Sequence, residues 1–586
     1  MTQATVTIAS PERVYLPKLA YQIAMPLPQT HLFEVKLTVS SWDSDLLDVR
    51  MPVWTPGSYL VREYAKQVQD FVAISDKGRK LVTNKTAKNN WQIRTNESNK
   101  IVVNYRVFAN ELTVRTNHLD ATHGYFNPAA LCLYIPGFED CPIEIKIILP
   151  DPDWQITTPL TEISPQTFLA ADLDTLIDSP FEIGTQQVYD FTVLEKPHQL
   201  VIWGQGNLEP DRAIEDIKKI IEVEAQIFGG LPYEKYIFLL HLSPAGGGGL
   251  EHKNCCSLLY PRFNFQGTEK NNRFMQLVAH EFFHLWNIKR IRPIALEKFD
   301  YDRENYTPSL WFSEGTTSYY DLVIPRRAGI YDDREFLAEL SKEITRFLTT
   351  PGRLVQPLSE SSFDAWIKLY RPDANSSNSQ MSYYLKGEMV TLLLDLLIRT
   401  HTHGAKSFDN VLAIMWEQFG KAEIGFTEIQ LKQIIEPVAN RDLTEFYDRY
   451  IHGIEELPFN DYLAPFGIEL EPVEANTPYL GINVKTESGK EAIKTVAANS
   501  PAQLAGIDPG DELLAIDGFK ITADKLTDRL RSYQAGQQIS VTIFHADRLM
   551  TVPVILATPQ PQQYHLKSIE HPSDLQRQLY TNWMSS

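Results

Sequence analysis

The stretch Leu277-Val-Ala-His280-Glu281-Phe-Phe-His284-Leu-Trp286 carries two histidines four positions apart, with a glutamate beside the first. In a helix His280 and His284 share one face, one turn apart, which is the spacing at which two neutral imidazoles grip one zinc ion. Glu281 is turned about 100° from His280, within reach of a water on the metal without ligating it. Phe274, Leu277, Val278 and Leu285 predict a buried helix, where a metal site is held rigid and mostly dry. The competing reading is a core helix whose two histidines are simply hydrogen-bonded.

A hydrolytic zinc site needs a third protein ligand and leaves its fourth position to water. Trp311-Phe-Ser-Glu314-Gly-Thr-Thr-Ser-Tyr-Tyr320 offers Glu314 on a helical, aromatic stretch. A carboxylate there is costly to bury unless it pairs or binds a metal. Pairing with Lys289, Arg290 or Arg292 is the alternative. Ahead of the histidine helix lies Ala245-Gly-Gly-Gly248-Gly249-Leu-Glu251-His252, whose glycines would let backbone approach a substrate closely.

The 586 residues are too many for one core. Alternating strands such as His31-Leu-Phe-Glu-Val-Lys-Leu-Thr-Val-Ser40 predict an N-terminal antiparallel β-sandwich over 1–187. An α-rich domain with one small sheet is expected over 188–458, and an independent small domain over 475–558. A tail follows over 559–586, where Leu575 and Tyr580 could sit on a docking helix. The net charge of −19 argues against nucleic acid or an anionic membrane as partner. No run reaches the roughly 18 apolar residues of a membrane span, and Met1-Thr-Gln-Ala-Thr-Val-Thr-Ile8 reads as no secretory leader. Cys132, Cys141, Cys255 and Cys256, two of them adjacent, form no disulfide framework and predict a cytoplasmic location.

The ordered set Gly-Gly-Leu-Glu-His, His-Glu-Phe-Phe-His, Trp-Phe-Ser-Glu-Gly and Tyr-Tyr-Leu-Lys-Gly is similar to the gluzincin aminopeptidases. With a β-rich front and an end, including Ser500-Pro-Ala-Gln-Leu-Ala-Gly506, that resembles a PDZ domain, nearly the whole chain resembles the glycyl aminopeptidase family, which implies a thermolysin-like zinc peptidase domain over 188–458 and a PDZ-like α+β domain over 475–558. That resemblance implies one Zn2+ per chain, held by His280, His284 and Glu314, with Glu281 as the general base. It implies that Glu251 binds the α-ammonium of a peptide with a free N-terminus, beside Gly248 and Gly249. It also implies a preference for small residues, glycine and alanine. Tyr384 matches the oxyanion donor, with Tyr383 as the adjacent alternative. Asp321 is a candidate to orient a histidine, and Trp54, Tyr59, Tyr125 and Asn127 are candidates to close the substrate end of the cleft. In the PDZ-like module, Leu480, Gly481 and Ile482 would form the loop that holds a peptide C-terminus. The expectation is therefore a zinc aminopeptidase. The alternatives are a zinc endopeptidase, which has no use for Glu251, and a metal-stabilised PDZ scaffold, which has none for Glu281.

Overall fold

Strands form where apolar residues alternate, because that period turns every second side chain to one face. In the computed structural model, which describes residues 16–585, Phe33, Val35, Leu37 and Val39 of the strand Leu32–Ser40 are each at most 2% exposed. The stretch examined for a leader lies outside the described residues. Val35 sits opposite Ile23 of Lys18–Ala24 on one side and Tyr105 of Lys100–Phe108 on the other. Seven strands make this sheet, running from Thr161–Ser164 at one edge to Val68–Ser75 at the other. A three-stranded sheet of Leu46–Arg50, Asn90–Arg94 and Thr83–Ala87 shares its core through Leu47, Val49 and Ile93, giving the expected sandwich. One pairing departs from the antiparallel expectation. Ile143–Ile148 lies parallel to Lys18–Ala24, since the long chain between them returns by a crossover instead of a hairpin.

Beyond this layer a five-stranded sheet takes Gln187–Val193, Lys196–Trp203, Tyr236–Ser243, Cys255–Pro261 and, at its edge, Gly248–Glu251 in that spatial order. The edge strand pairs antiparallel with Cys255–Pro261 only, so its other side is open. Helix α1 (Pro210–Phe228) buries Ile214, Ile217, Ile221 and Phe228, and Gly229 ends it in the left-handed conformation. Helix α2 (Thr268–Phe283) carries the first histidine and Glu281, and α3 (Thr316–Arg327) follows a π-helical turn at Trp311–Gly315. Helix α4 (Asp333–Leu348) is started by a capping box of Asp332 and Glu335. Helix α5 (Tyr383–His401) runs through the centre, buried along most of its length.

The C-terminal fifth wraps back onto this body. Ile468–Pro472 pairs with Tyr564–Ser568, and between these two strands in the chain lies a separate sheet that runs from Ile482–Glu487 to Arg548–Ile555 and has its own core of Ile493, Leu513, Ile516, Val541 and Ile543. Asn378 joins that unit to the helical region, donating to Val496 O at 2.9 Å and accepting from Ala498 N at 2.8 Å. Helix α6 (Asp574–Ser585) buries Leu579, Trp583 and Met584, and the Trp583 indole donates to the Tyr319 hydroxyl at 3.0 Å. Among the described residues no helix is long and apolar enough to cross a membrane.

The crossing of α5 with the π-helical turn leaves no room for side chains. A Cβ on Gly315 would lie 2.4 Å from Gly387 Cα, and one on Gly387 would lie 2.7 Å from Trp311 O. Both obstacles are backbone, so neither can swing away. Gly315→Ala or Gly387→Ala is expected to lower the unfolding free energy by about 1–3 kcal/mol, as overpacked cores do. Thermal or urea denaturation of the two variants checks this.

Candidate active site

Helix α2 holds the His280 and His284 rings 4.6 Å apart, nearly perpendicular to one another. Each ring is oriented through Nδ1. His280 meets the Asp321 carboxylate of α3 at 2.8 Å, and His284 meets the Asn287 carbonyl at 2.6 Å. The two Nε2 atoms are thereby turned toward Glu314, whose Oε2 lies 3.6 Å from that of His280 and 3.1 Å from that of His284. Bonds of about 2.0–2.1 Å around a tetrahedral zinc put neighbouring ligand atoms roughly 3.3 Å apart, so this donor set fits zinc in both kind and spacing. A second grouping, His123, Glu182 and His241, is drawn in more tightly. Its nitrogen–oxygen distances are both 2.7 Å, the length of a charge-assisted hydrogen bond. The cations that could have claimed Glu314 are occupied elsewhere: Lys289 pairs with Asp178 at 2.6 Å, and Arg292 with Glu423 at 3.3 Å.

Glu281 is 5% exposed and lies against the edge strand, where a Cβ on Gly249 would come within 2.2 Å of its Cδ. Glycine there lets the carboxyl and the strand approach. Gly248 is half-buried with φ +129° and has nothing within 4 Å of a Cβ position. Burial raises the Glu281 carboxyl above the usual carboxylate range, against the pull of the two imidazoles. Glu251 is 4% exposed, and its Oε1 has no hydrogen-bond partner. Its carboxylate falls in one cluster with Glu281 and His284, their ligand-type atoms all within 4.8 Å of one another.

Two tyrosines begin α5. Tyr384 is half-buried, its ring facing that of His280 at 6.3 Å and its hydroxyl 3.3 Å from that of Tyr370. Tyr383 is fully buried, with an unpartnered hydroxyl. From the N-terminal sandwich, the loop from Trp54 to Tyr59 folds over Glu251. Gly57, at φ +85°, is so close that a Cβ would sit 2.5 Å from Glu251 Oε2. The loop is wedged by Trp366, 5.1 Å from Trp54 and 5.6 Å from Tyr59, ring centre to ring centre. Asn127 supports it through Thr55 Oγ1 at 3.3 Å. Tyr125 is not at the cleft. It packs with Ile237, Leu239 and Cys255 on the sheet face opposite α2, its hydroxyl on Ser257 Oγ at 2.9 Å, because strand alternation sends those side chains away from the helix. In the PDZ-like unit, the carbonyls of Leu480 and Gly481 accept from Ala502 N and Ala497 N, and Ile482 opens the edge strand of its sheet.

Sequence reasoning missed Asn287, Tyr370, Arg62 and Arg115. Asn287 also donates to the carbonyls of Phe312 and Ser313 at 3.0 and 3.1 Å, tying the histidine segment to the Glu314 turn. Its position just past the second histidine was the available signal.

Residues 20–185 match the Peptidase M61 N-terminal domain, 273–390 the M61 glycyl aminopeptidase and 478–556 a PDZ domain. The crystal structure of an aminopeptidase N family protein from Idiomarina loihiensis is 30% identical, with 97% of this chain and 100% of that chain covered and a TM-score of 0.91. The chain belongs to the M61 glycyl aminopeptidase family. It is thus a metallo-aminopeptidase by family, with an M61 N-terminal domain in front and a PDZ domain behind. The glycyl aminopeptidase match contains His280, Glu281, His284, Glu314 and Tyr384, whereas Glu251 stands ahead of it. An M1 zinc metallopeptidase from Deinococcus radiodurans is similar over 75% of this chain and 94% of that one, at 14% identity and a TM-score of 0.46. No curated protein matches.

The carboxylate on His280 Nδ1 fixes that ring's tautomer and raises its basicity. Asp321→Asn is expected to weaken zinc affinity by about 10–100-fold, read by competition with a chelator and with no substrate present. Unchanged affinity would mean that the Asp321 contact does not govern metal binding.

Proposed function

We propose that the chain removes small N-terminal residues, glycine and alanine, from peptides with a free α-amine, using one zinc ion held by His280, His284 and Glu314. Zinc bound there would act as a Lewis acid, lowering the pKa of a water and polarising the scissile carbonyl. Glu281, lying along the edge strand, takes the proton of the attacking water and passes it to the leaving amine. The Tyr384 hydroxyl donates to the oxygen on which charge develops, an interaction worth on the order of 10²–10³ in rate. Tyr370 keeps that hydroxyl oriented.

The observation that carries the proposal is the Glu251 carboxylate, buried with an oxygen left unpaired and closed in by the Gly57 backbone. Such a group is costly unless a donor arrives, and a substrate ammonium is that donor. The wall at Gly57 stops a peptide from continuing past it, which favours removal of one terminal residue over internal cleavage. The preference for glycine and alanine is carried over from the family whose glycyl aminopeptidase match covers residues 273–390. By the same proposal the PDZ-like unit takes a peptide C-terminus on the backbone of Leu480, Gly481 and Ile482, beside the open edge strand Ile482–Glu487.

Glu281→Gln is expected to retain zinc and fold while turnover falls about 10²–10⁴-fold. Glu251→Ala is expected to lower kcat/KM for alanine p-nitroanilide by about 30-fold or more. Wild-type enzyme should favour alanine over leucine p-nitroanilide by about tenfold or more. If acetylated peptides are cut as fast as free ones, the endopeptidase reading replaces this one.

A further inference from the structure

Arg62 and Arg115 are the unexplained charges of the cleft. Both reach it from the N-terminal sandwich, and among the described residues neither has a carboxylate within 4.0 Å, although the remaining cations around the site are paired. Arg62 Nη2 donates to Ser58 Oγ at 2.8 Å, and Arg115 Nη2 to the Gly249 carbonyl at 2.9 Å. The Nε atom of each is buried and without a partner. Burial lowers the pKa of Arg62 and neighbouring Arg115 lowers it further, against the pull of Tyr64, Tyr370 and Glu111, whereas Tyr370, Tyr384, Glu281 and Glu251 hold that of Arg115 up against its burial. Tyr370 lies between them and Tyr384, electrostatically coupled to both guanidinium groups. Two mutually repelling cations with orphaned N–H groups, held against a catalytic cleft, form a site for an anion.

Position along the edge strand identifies the anion. The Gly249 carbonyl that Arg115 caps faces away from the neighbouring strand, along the open edge where an extended peptide would add antiparallel. From Glu251 to Gly249 is two strand positions, about 7 Å. An extended dipeptide spans about the same distance from amine to carboxylate, and a third residue carries the carboxylate onward toward Arg62.

We infer that Arg115 and Arg62 bind the C-terminal carboxylate of the substrate, so that the enzyme is a ruler for dipeptides and tripeptides instead of a trimmer of long chains. This rests on the reading of Glu251 as the amine anchor. The guanidinium groups touch the far end of the peptide and leave the scissile bond to Glu281 and Tyr384.

The test compares kcat/KM for Ala-Ala and Ala-Ala-Ala, each as free acid and as amide, and for N-acetyl-Ala-Ala, in the wild type and in Arg115→Gln and Arg62→Gln, with zinc content measured on the same samples. The wild type should favour the free acid over the amide by about tenfold or more, with the difference in KM. Arg115→Gln should move that ratio toward one for the dipeptide, and Arg62→Gln for the tripeptide. Arg62→Gln matters most, because the Gly249 carbonyl is held by Arg115, whereas Arg62 donates to Ser58. Equal use of acid and amide by the wild type overturns the carboxylate site while leaving the aminopeptidase reading intact. Proportionate loss on both substrates in both variants also overturns it. Cleavage of the acetylated peptide at the free-amine rate removes the Glu251 anchor, and the ruler falls with it.

Discussion

Three ligand-type atoms meet at one point because groups outside the trio leave them no other direction. Asp321 takes Nδ1 of His280, and the Asn287 carbonyl takes Nδ1 of His284, so each ring can present only Nε2. Glu314 is brought opposite by a π-helical turn whose last residue, Gly315, lies directly on Gly387 of α5. Histidine pair, carboxylate and tyrosines therefore belong to one packed unit. The Asn287 amide, donating to two carbonyls of that turn, links its parts. A catalytic constellation is only as accurate as this supporting shell, and here the shell consists of backbone contacts and buried hydrogen bonds that cannot relax without breaking.

What was legible in the sequence is what depends on local spacing. His280 and His284 needed only the period of a helix, and the expected sandwich needed only the alternation seen in Phe33, Val35, Leu37 and Val39. Asp321 was within reach because it follows Glu314 by about two turns on the same helical run. The docking of α6 was left open by its sequence. The structure settles it through Trp583, which finds a hydrogen bond on Tyr319 and aromatic partners in Phe336 and Phe466. None of those partners is near it in the chain.

Arg62, Arg115 and Gly57 were illegible for a related reason. Arg115 gains its meaning from the Gly249 carbonyl and Gly57 from Glu251, both on an edge strand far along the chain, while Arg62 is held by Ser58 in its own loop. Tyr125 is the converse case. Its aromatic character suggested the cleft, but its strand, His123–Phe126, packs on the face of the five-stranded sheet that Ile237, Leu239 and Cys255 present away from the histidine helix. Composition cannot distinguish the two, because the side a strand residue faces is fixed by register and not by identity.

The sandwich also completes the electrostatics of the cleft. The helices and the edge strand alone would bring Glu251, Glu281 and Glu314 together around His284, three buried carboxyl groups in a low-dielectric setting. A divalent cation offsets part of that charge, and a substrate ammonium offsets more. Along the edge strand the sandwich contributes Arg115 and Arg62, which donate to the Gly249 carbonyl and to Ser58 Oγ; among the described residues neither forms an ion pair within 4.0 Å. The cleft is thus negative at one end and positive at the other over the length of a very short peptide. A molecule with an ammonium at one terminus and a carboxylate at the other is complementary to that field, and a longer chain, whose carboxylate lies beyond it, is not. The charge pattern and the strand spacing therefore select the same substrate for independent physical reasons.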